Sequence, residues 1–234
     1  MRNLRLGECL MAYNVLLVED DPMYLAMVSE YLTSAGYHVR QAITAHDGLT
    51  SIKSEPPHLL ILDLNLPDKS GSTLLLEIRK NPATKSLPII IMTGTDTGTD
   101  HNYLLRMGAD AFLSKSTPQE QCIVTIEALF RRLEMDGFFL RMGGTILDQR
   151  HKSLYVNGVR VENLSLEEFE FLALLMEYLP AHVTSKEIAR LVWKHKGFDI
   201  HEIESSLKTK LSKHQAIEIS GDLISGYSLQ DISQ

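Results

Sequence analysis

The residues most suggestive of chemistry are acids placed directly after apolar runs. Glu19, Asp20 and Asp21 follow Val15–Val18, and Asp63 follows Leu59–Leu62. Short runs rich in Val, Ile and Leu read as strands buried on both faces, so a carboxylate that ends one stands at the rim of a sheet. Thr93 comes directly after the run Leu87–Met92, and Lys115 comes just after Ala111–Leu113. Anions gathered at one place repel and raise one another's pKa unless a cation joins them. A hard divalent ion with oxygen ligands, Mg2+ above all or Mn2+, meets that need and also holds phosphate. Taken singly, each residue reads as a surface acid or a salt-bridged lysine. The ordered set is what points to chemistry.

Something must bring that set together. From Asn14 to Arg132, apolar runs at Val15–Val18, Val39–Ile43, Leu59–Leu62, Leu87–Met92 and Ala111–Leu113 alternate with helix-period segments. The helices are expected at Met23–Ser34, Ala45–Ser54, Ser72–Lys80, Thr99–Met107 and Gln119–Leu133. Gly36 and Gly108 each stand just past a helix end, where a left-handed residue closes the last turn. Five strand–helix units in a row predict an α/β fold with a five-stranded, doubly wound parallel sheet. Ligands of such sheets bind beyond the carboxyl ends of the strands. Glu19, Asp20, Asp63, Thr93 and Lys115 therefore share one edge.

The alternation stops at residues 133–139, read as a linker between a domain at 12–132 and another at 140–234. The second domain is expected to be α+β. Thr145–Glu162 holds short strand-like runs with turns at Asp148–Arg150 and at Asn157-Gly158, the latter a strong hairpin signal. Capping boxes start helices at Ser165 (with Glu168) and Thr184 (with Glu187). A third helix is expected over Ile200–Lys213, and the runs Ala216–Ile219 and Ser228–Ile232 close the chain.

The first half resembles the CheY-like (flavodoxin-like) receiver domain. The matching pieces are Val-Leu-Leu-Val-Glu-Asp-Asp at 15–21, Leu-Asp-Leu-Asn-Leu-Pro-Asp-Lys-Ser-Gly at 62–71, Met-Thr-Gly at 92–94 and Gly-Ala-Asp-Ala-Phe-Leu-Ser-Lys at 108–115. That resemblance implies a phosphoacceptor at Asp63, served by a sensor histidine kinase. It implies metal carboxylates at Glu19, Asp20 and Asp63, with the backbone carbonyl of Asn65 as a further ligand. It implies a Lys115 that pairs with Asp63, a Thr93 that hydrogen-bonds the phosphoryl group, and Phe112 as the switching aromatic. The family usually has proline after the lysine, joined by a cis bond. Here Ser116 follows, and a cis bond at a non-proline residue costs about 3 kcal/mol, so a trans, reshaped loop is expected.

The second half resembles the winged-helix output domain of OmpR/PhoB-type regulators. The stretches that carry it are residues 156–172, Val-Thr-Ser-Lys-Glu-Ile at 183–188, Leu-Lys-Thr-Lys-Leu at 207–211 and Gly-Tyr-Ser-Leu at 226–229. It implies a transcription regulator whose third helix enters the major groove of double-stranded DNA. The expected contacts are His201, Ser205, Ser206, Lys208, Lys210 and Lys213. RNA polymerase is a further implied partner. Homodimerisation on activation is implied too, through a face carrying Arg106, Asp110, Glu127 and Arg132.

Charge tempers this expectation. The 234-residue chain has a formal charge of −7, and from Phe138 onward 11 Lys and Arg stand against 13 Asp and Glu. Phosphate contacts need positive charge, so the alternative is a winged helix that acts mainly through protein contacts. The output half has no nucleophile–base set or metal spacing. The expected chemistry is therefore phosphoacceptance, at most with self-phosphorylation from small donors and autodephosphorylation. Cys9 and Cys122 read as reduced thiols of a cytoplasmic protein. No apolar run is long enough to span a membrane. Met1–Leu10 lacks an apolar core and does not read as a secretion signal, and Met11 would also make a natural start.

Overall fold

Alternation of apolar runs and amphipathic segments builds the first of two compact units, Tyr13–Arg132; the second comprises the described residues from Leu133 onward. The computed structural model describes residues 13–94, 101–184, 186–188, 199–214, 217–222 and 226–232. The first unit has strands β1 (Asn14–Val18), β2 (His38–Ala42), β3 (Leu59–Leu62), β4 (Ile89–Thr93) and β5 (Ala111–Ser114). They interleave with helices α1 (Pro22–Ser34), α2 (Ala45–Ser54), α3 (Gly71–Lys80), α4 (His101–Arg106) and α5 (Gln119–Met135). The sheet is parallel throughout, in the order β2-β1-β3-β4-β5.

Strands β1, β3 and β4 are buried along their whole length. The expectation of burial on both faces fails for β2, which is partly exposed at four of its five residues. It is an edge strand, and its His38, Arg40 and Gln41 suit that position. Polar groups tie the loops down. Asp21 caps α1, accepting from the backbone N–H groups of Met23 and Tyr24 at 2.8 and 3.1 Å. The Arg79 guanidinium donates to the carbonyls of Gly108 and Leu87, both at 2.7 Å, and to Asp110 at 2.9 Å.

In the second unit a four-stranded antiparallel sheet runs β6 (Phe139–Met142), β7 (Thr145–Asp148), β8 (Ser153–Val156), β9 (Val159–Arg160). Asn157 and Gly158 have φ of 49° and 76°, as the predicted two-residue hairpin turn requires. Then come α6 (Leu166–Glu177), α7 (Ile200–Leu211) and the hairpin β10 (Ile217–Asp222) to β11 (Gly226–Asp231). Val183 forms an isolated antiparallel bridge to Tyr227 of that hairpin. This is a winged-helix arrangement. Its second helix, expected from Thr184 with Leu191, Val192 and Trp193, is described only at Lys186–Ile188. Leu191, Val192, Trp193 and His195 lie outside the described residues, as do Cys9, Met1–Leu10 and residues 95–100.

The segment read as a linker is not one throughout. Helix α5 continues to Met135, and the division between units falls inside it. Gly137, at φ +73°, ends it, with backbone bonds from Gly137 to Glu134 and from Phe138 to Leu133. Phe139 already belongs to β6, paired with Asp148. The linker signal was a loss of alternation, and a helix that ends against a strand produces the same signal.

Close approach requires the glycine at position 71. A Cβ on Gly71, at the start of α3, would lie 2.0 Å from the Asp63 carbonyl oxygen. Gly71→Ala must therefore push α3 away from the end of β3. We expect it to lower the unfolding free energy by about 2 kcal/mol, measured by urea denaturation. Retention of wild-type stability would show that this contact relaxes freely.

Candidate functional site

Register aligns the ends of the central strands. Val18 pairs with Leu62 across β1 and β3, and Thr93 with Ser114 across β4 and β5. The next residues, Glu19, Asp63 and Lys115, leave the sheet together. Glu19 and Asp63 are 1% and 2% exposed, whereas Asp20 is exposed. The Lys115 ammonium lies 2.7 Å from Glu19 and 3.1 Å from Asp63 Oδ2. Asp63 Oδ1 accepts from the Leu64 backbone N–H at 2.7 Å.

Burial pushes the Glu19 carboxyl above its usual range, with Asp63 adding to the rise, although the hydrogen bond from Lys115 opposes it. Burial pulls the Lys115 ammonium down, but the hydrogen bonds and charges of Glu19 and Asp63 outweigh it and the net shift is upward. The ammonium therefore stays charged. Carboxylate oxygens of Glu19, Asp20 and Asp63 all lie within 4.8 Å of one another. Three hard oxygen donors, two of them buried and one open to solvent, suit a divalent cation with water completing its shell.

The loops around this pocket have their own anchors. Asp68 reaches across the β3–α3 loop to the N-terminus of α2, accepting from Ala45 and His46 at 2.9 Å each. Those backbone bonds hold its carboxyl below the usual range. Asn65 is exposed in the same loop. Thr93 is buried, and its carbonyl accepts from the Lys115 backbone N–H. Phe112 is partly buried against the core that includes Leu104 and Ala109. The Lys115–Ser116 bond is trans. Ser114 and Ser116 hydroxyls lie 2.8 Å apart, and Thr117 donates to the Ser114 carbonyl, so hydrogen bonds shape the turn that proline would otherwise stiffen.

The sequence reading passed over one neighbour. Tyr24 of α1 lies with its ring centroid 4.7 Å from the Lys115 ammonium, and its hydroxyl is 3.2 Å from Met92 Sδ and 3.4 Å from the Lys115 carbonyl. An apolar-period position on a predicted helix gave no hint of this role.

On the second unit, α7 turns Ile200, Leu207 and Leu211 inward. A shallow surface depression outside is lined by His201, Glu204, Ser205, Lys208, Thr209 and Ser212. Glu204, Thr209 and Ser212 were not among the expected contacts. Two expected contacts are corrected. Lys210 points to α6, where its ammonium lies 2.6 Å from Glu168 and from the Asn163 carbonyl, and Ser206 donates to Glu168 at 2.6 Å. Residues 206 and 210 lie one helical turn apart on the flank facing α6, and the buried Glu168 needs a cation there. Lys208 is paired with Glu204 at 2.6 Å, and Glu204 also accepts from the Tyr227 hydroxyl at 3.0 Å. His201 and Lys213 are exposed.

The residues expected on a dimer face divide as well. Arg132 meets Asp110 at 3.6 Å within the chain, and Asp110 also accepts from Arg79 and from the Ile89 backbone. Among the described residues, Arg106 and Glu127 form no ion pair. Tyr103, Leu105 and Val124 are exposed apolar side chains of α4 and α5.

A doubly wound sheet with acids and a lysine at its carboxyl edge defines a receiver-type domain. The response regulator receiver domain family matches residues 15–127. AfsQ1 of Streptomyces coelicolor, named as a transcriptional regulatory protein, is 30% identical over 185 residues, covering 78% of this chain and 80% of that one. RpaA of Synechocystis sp., named as a DNA-binding dual master transcriptional regulator, is 28% identical over 84% of this chain and 86% of its own. A chain from Chloroflexus aurantiacus described as a response regulator superposes with a TM-score of 0.50 at 30% identity, over 52% of this chain and 99% of that one. The protein belongs to the response regulators. Among the described residues no helix is long and apolar enough to cross a membrane.

Glu168 offers a test of the second unit. Burial would raise its carboxyl, but hydrogen bonds from Lys210, Ser206 and the Ser165 backbone, with the Lys210 charge, hold it below the usual range. A depressed folded pKa stabilises fully above the unfolded value of about 4.3 and stops doing so as pH falls through the folded value. Glu168→Gln should cost about 3 kcal/mol at pH 7 by leaving Lys210 without its counter-charge. The gap between wild type and variant should close toward pH 3, read by chemical denaturation across that range. A pH-independent gap would exclude the charge as its source.

Proposed function

We propose that Asp63 is the phosphoacceptor of a two-component response regulator, and that the winged-helix unit transmits the result to transcription. The observation that carries the reading is the Lys115 ammonium held between the buried Glu19 and Asp63 carboxylates. An Asp63 carboxylate oxygen attacks phosphorus, forming an acyl phosphate. From a histidine kinase the breaking bond is P–N, and the imidazole departs with the electron pair. Lys115 follows the phosphoryl oxygens, Thr93 donates its hydroxyl to them, and Phe112 moves inward as the Thr93 loop shifts. Glu19, Asp20, Asp63 and the Asn65 carbonyl are the proposed ligands of Mg2+ or Mn2+, which would neutralise charge on the phosphoryl group.

The output face is proposed to be His201, Ser205, Lys208, Thr209, Ser212 and Lys213, on double-stranded DNA, with RNA polymerase as a further partner. Names of relatives such as RpaA support DNA as the target. We place the unit boundary between Arg132 and Leu133, the homodimer face on Arg106, Glu127, Arg132 and the exposed Tyr103, Leu105 and Val124, and the protein in the cytoplasm. No enzymatic turnover is proposed beyond self-phosphorylation from small donors and autodephosphorylation. A second reading, recognition of a protein by the winged helix, draws on the pairing of Lys208 with Glu204 and of Lys210 with Glu168.

Two measurements test this. Radiolabelled acetyl phosphate with Mg2+ should label wild type and leave Asp63→Ala unlabelled; absence of labelling in wild type would sink the phosphoacceptor reading. Binding to duplex DNA should show a shallow salt dependence, with a log–log slope of about −2 per output domain, because among the described residues Lys208 and Lys210 of α7 are paired with Glu204 and Glu168. No binding at low salt, with or without beryllofluoride, would favour the protein partner.

A further inference from the structure

Lys115 is bounded on three sides. Glu19 and Asp63 take two of them, at 2.7 and 3.1 Å, and the Tyr24 ring takes the third, with its centroid 4.7 Å from the ammonium. An ammonium has three N–H donors. Here two meet carboxylates, and an aromatic face stands where solvent would otherwise draw the side chain outward. A cation within about 6 Å of a tyrosine face is attracted by the ring quadrupole, more strongly when water is excluded. The Lys115 side chain is 22% exposed, so this exclusion is substantial. The ring itself is held at its far end, because the Tyr24 hydroxyl reaches Met92 Sδ and the Lys115 carbonyl. Met92 precedes Thr93 on β4, so Tyr24 spans from α1 to the ends of both β4 and β5. The α1 N-cap fixes where the ring starts, since Asp21 accepts directly from the Tyr24 backbone N–H at 3.1 Å.

We propose that Tyr24 is a positioning residue for phosphoryl transfer: its ring confines the Lys115 ammonium beside Asp63, so that the charge is in place when the phosphoryl group arrives. The inference rests on the reading of Asp63 as phosphoacceptor. In the step concerned, an Asp63 carboxylate oxygen bonds to the phosphorus of acetyl phosphate. The P–O bond to the acetyl group breaks, and acetate leaves with its electron pair. The transferring oxygens carry negative charge beside Asp63, where the Lys115 ammonium stands, and a lysine free to swing into solvent must first be recaptured. Tyr24 touches neither donor nor phosphorus and acts only through Lys115.

The test measures the labelling rate constant of the full chain with radiolabelled acetyl phosphate and Mg2+. Tyr24→Leu should lower it about threefold to tenfold. Tyr24→Phe, which keeps the ring, should stay within about twofold of wild type. Tyr24→Met repeats the ring deletion with an unbranched side chain, should Leu destabilise the receiver. A double-mutant cycle separates positioning from general structural damage. In a Lys115→Ala background, Tyr24→Leu should change the residual rate by less than about twofold. An unchanged rate in folded Tyr24→Leu overturns the proposal, and so does an equally large loss in the Lys115→Ala background. A wild type that does not label at all overturns the phosphoacceptor reading instead.

Discussion

Two carboxylates, Glu19 and Asp63, leave adjacent strands of one sheet and are buried at its rim. Their oxygens lie within 4.8 Å, where two full charges repel by about 3 kcal/mol at an effective dielectric near 20. The Lys115 ammonium offsets that repulsion, and it comes from 96 residues beyond Glu19 and 52 beyond Asp63. Much of the first unit serves to deliver it. β4 must separate β3 from β5, the loop after β5 must turn at Ser114–Thr117, and α3 must begin with a residue lacking Cβ so that β3 can end where it does. A pocket balanced by one movable cation is also easily rebalanced. A phosphoryl group adds about −1.5 to −2 charges and three acceptor oxygens at the same place.

The second unit solves a similar problem to a different end. Glu168 begins as a local device, closing the capping box at the start of α6. Buried at 3% exposure, it then recruits Ser206 and Lys210 from α7. The pair that joins the two helices thereby removes a lysine from the outward face. Glu204 pairs with Lys208 on the outward face itself while receiving the Tyr227 hydroxyl from the hairpin. Among the described residues of α7 the positive charge is therefore largely matched by acids, and the hydroxyls of Ser205, Thr209 and Ser212 line much of the depression.

Much of the fold was legible because its signals are local. Strand β3 and helix α2 begin and end where apolar runs and turn residues put them, and the Asn157-Gly158 turn follows from backbone preferences of two residues. The edge status of β2, the extension of α5 into the supposed linker as far as Met135, and the inward course of Lys210 were not legible. Each depends on which neighbour lies alongside. A linker and a capped helix end look alike in composition, and a lysine on a helix carries no mark of whether a buried carboxylate awaits it.

The sequence by itself determined which groups stand at the sheet's carboxyl edge. Asp63, Glu19, Asp20 and Lys115 follow their strands directly or nearly so, Thr93 ends its own, and strand order in a doubly wound sheet brings strand ends together. Only the tertiary structure decided how those groups divide their work. Asp21 became a helix cap, Lys115 took both buried carboxylates, and Tyr24 closed the third side of the ammonium. The reason is physical: covalent order sets which atoms leave which strand, whereas ion pairs and ring contacts depend on distances of a few ångströms that exist only once the elements have packed.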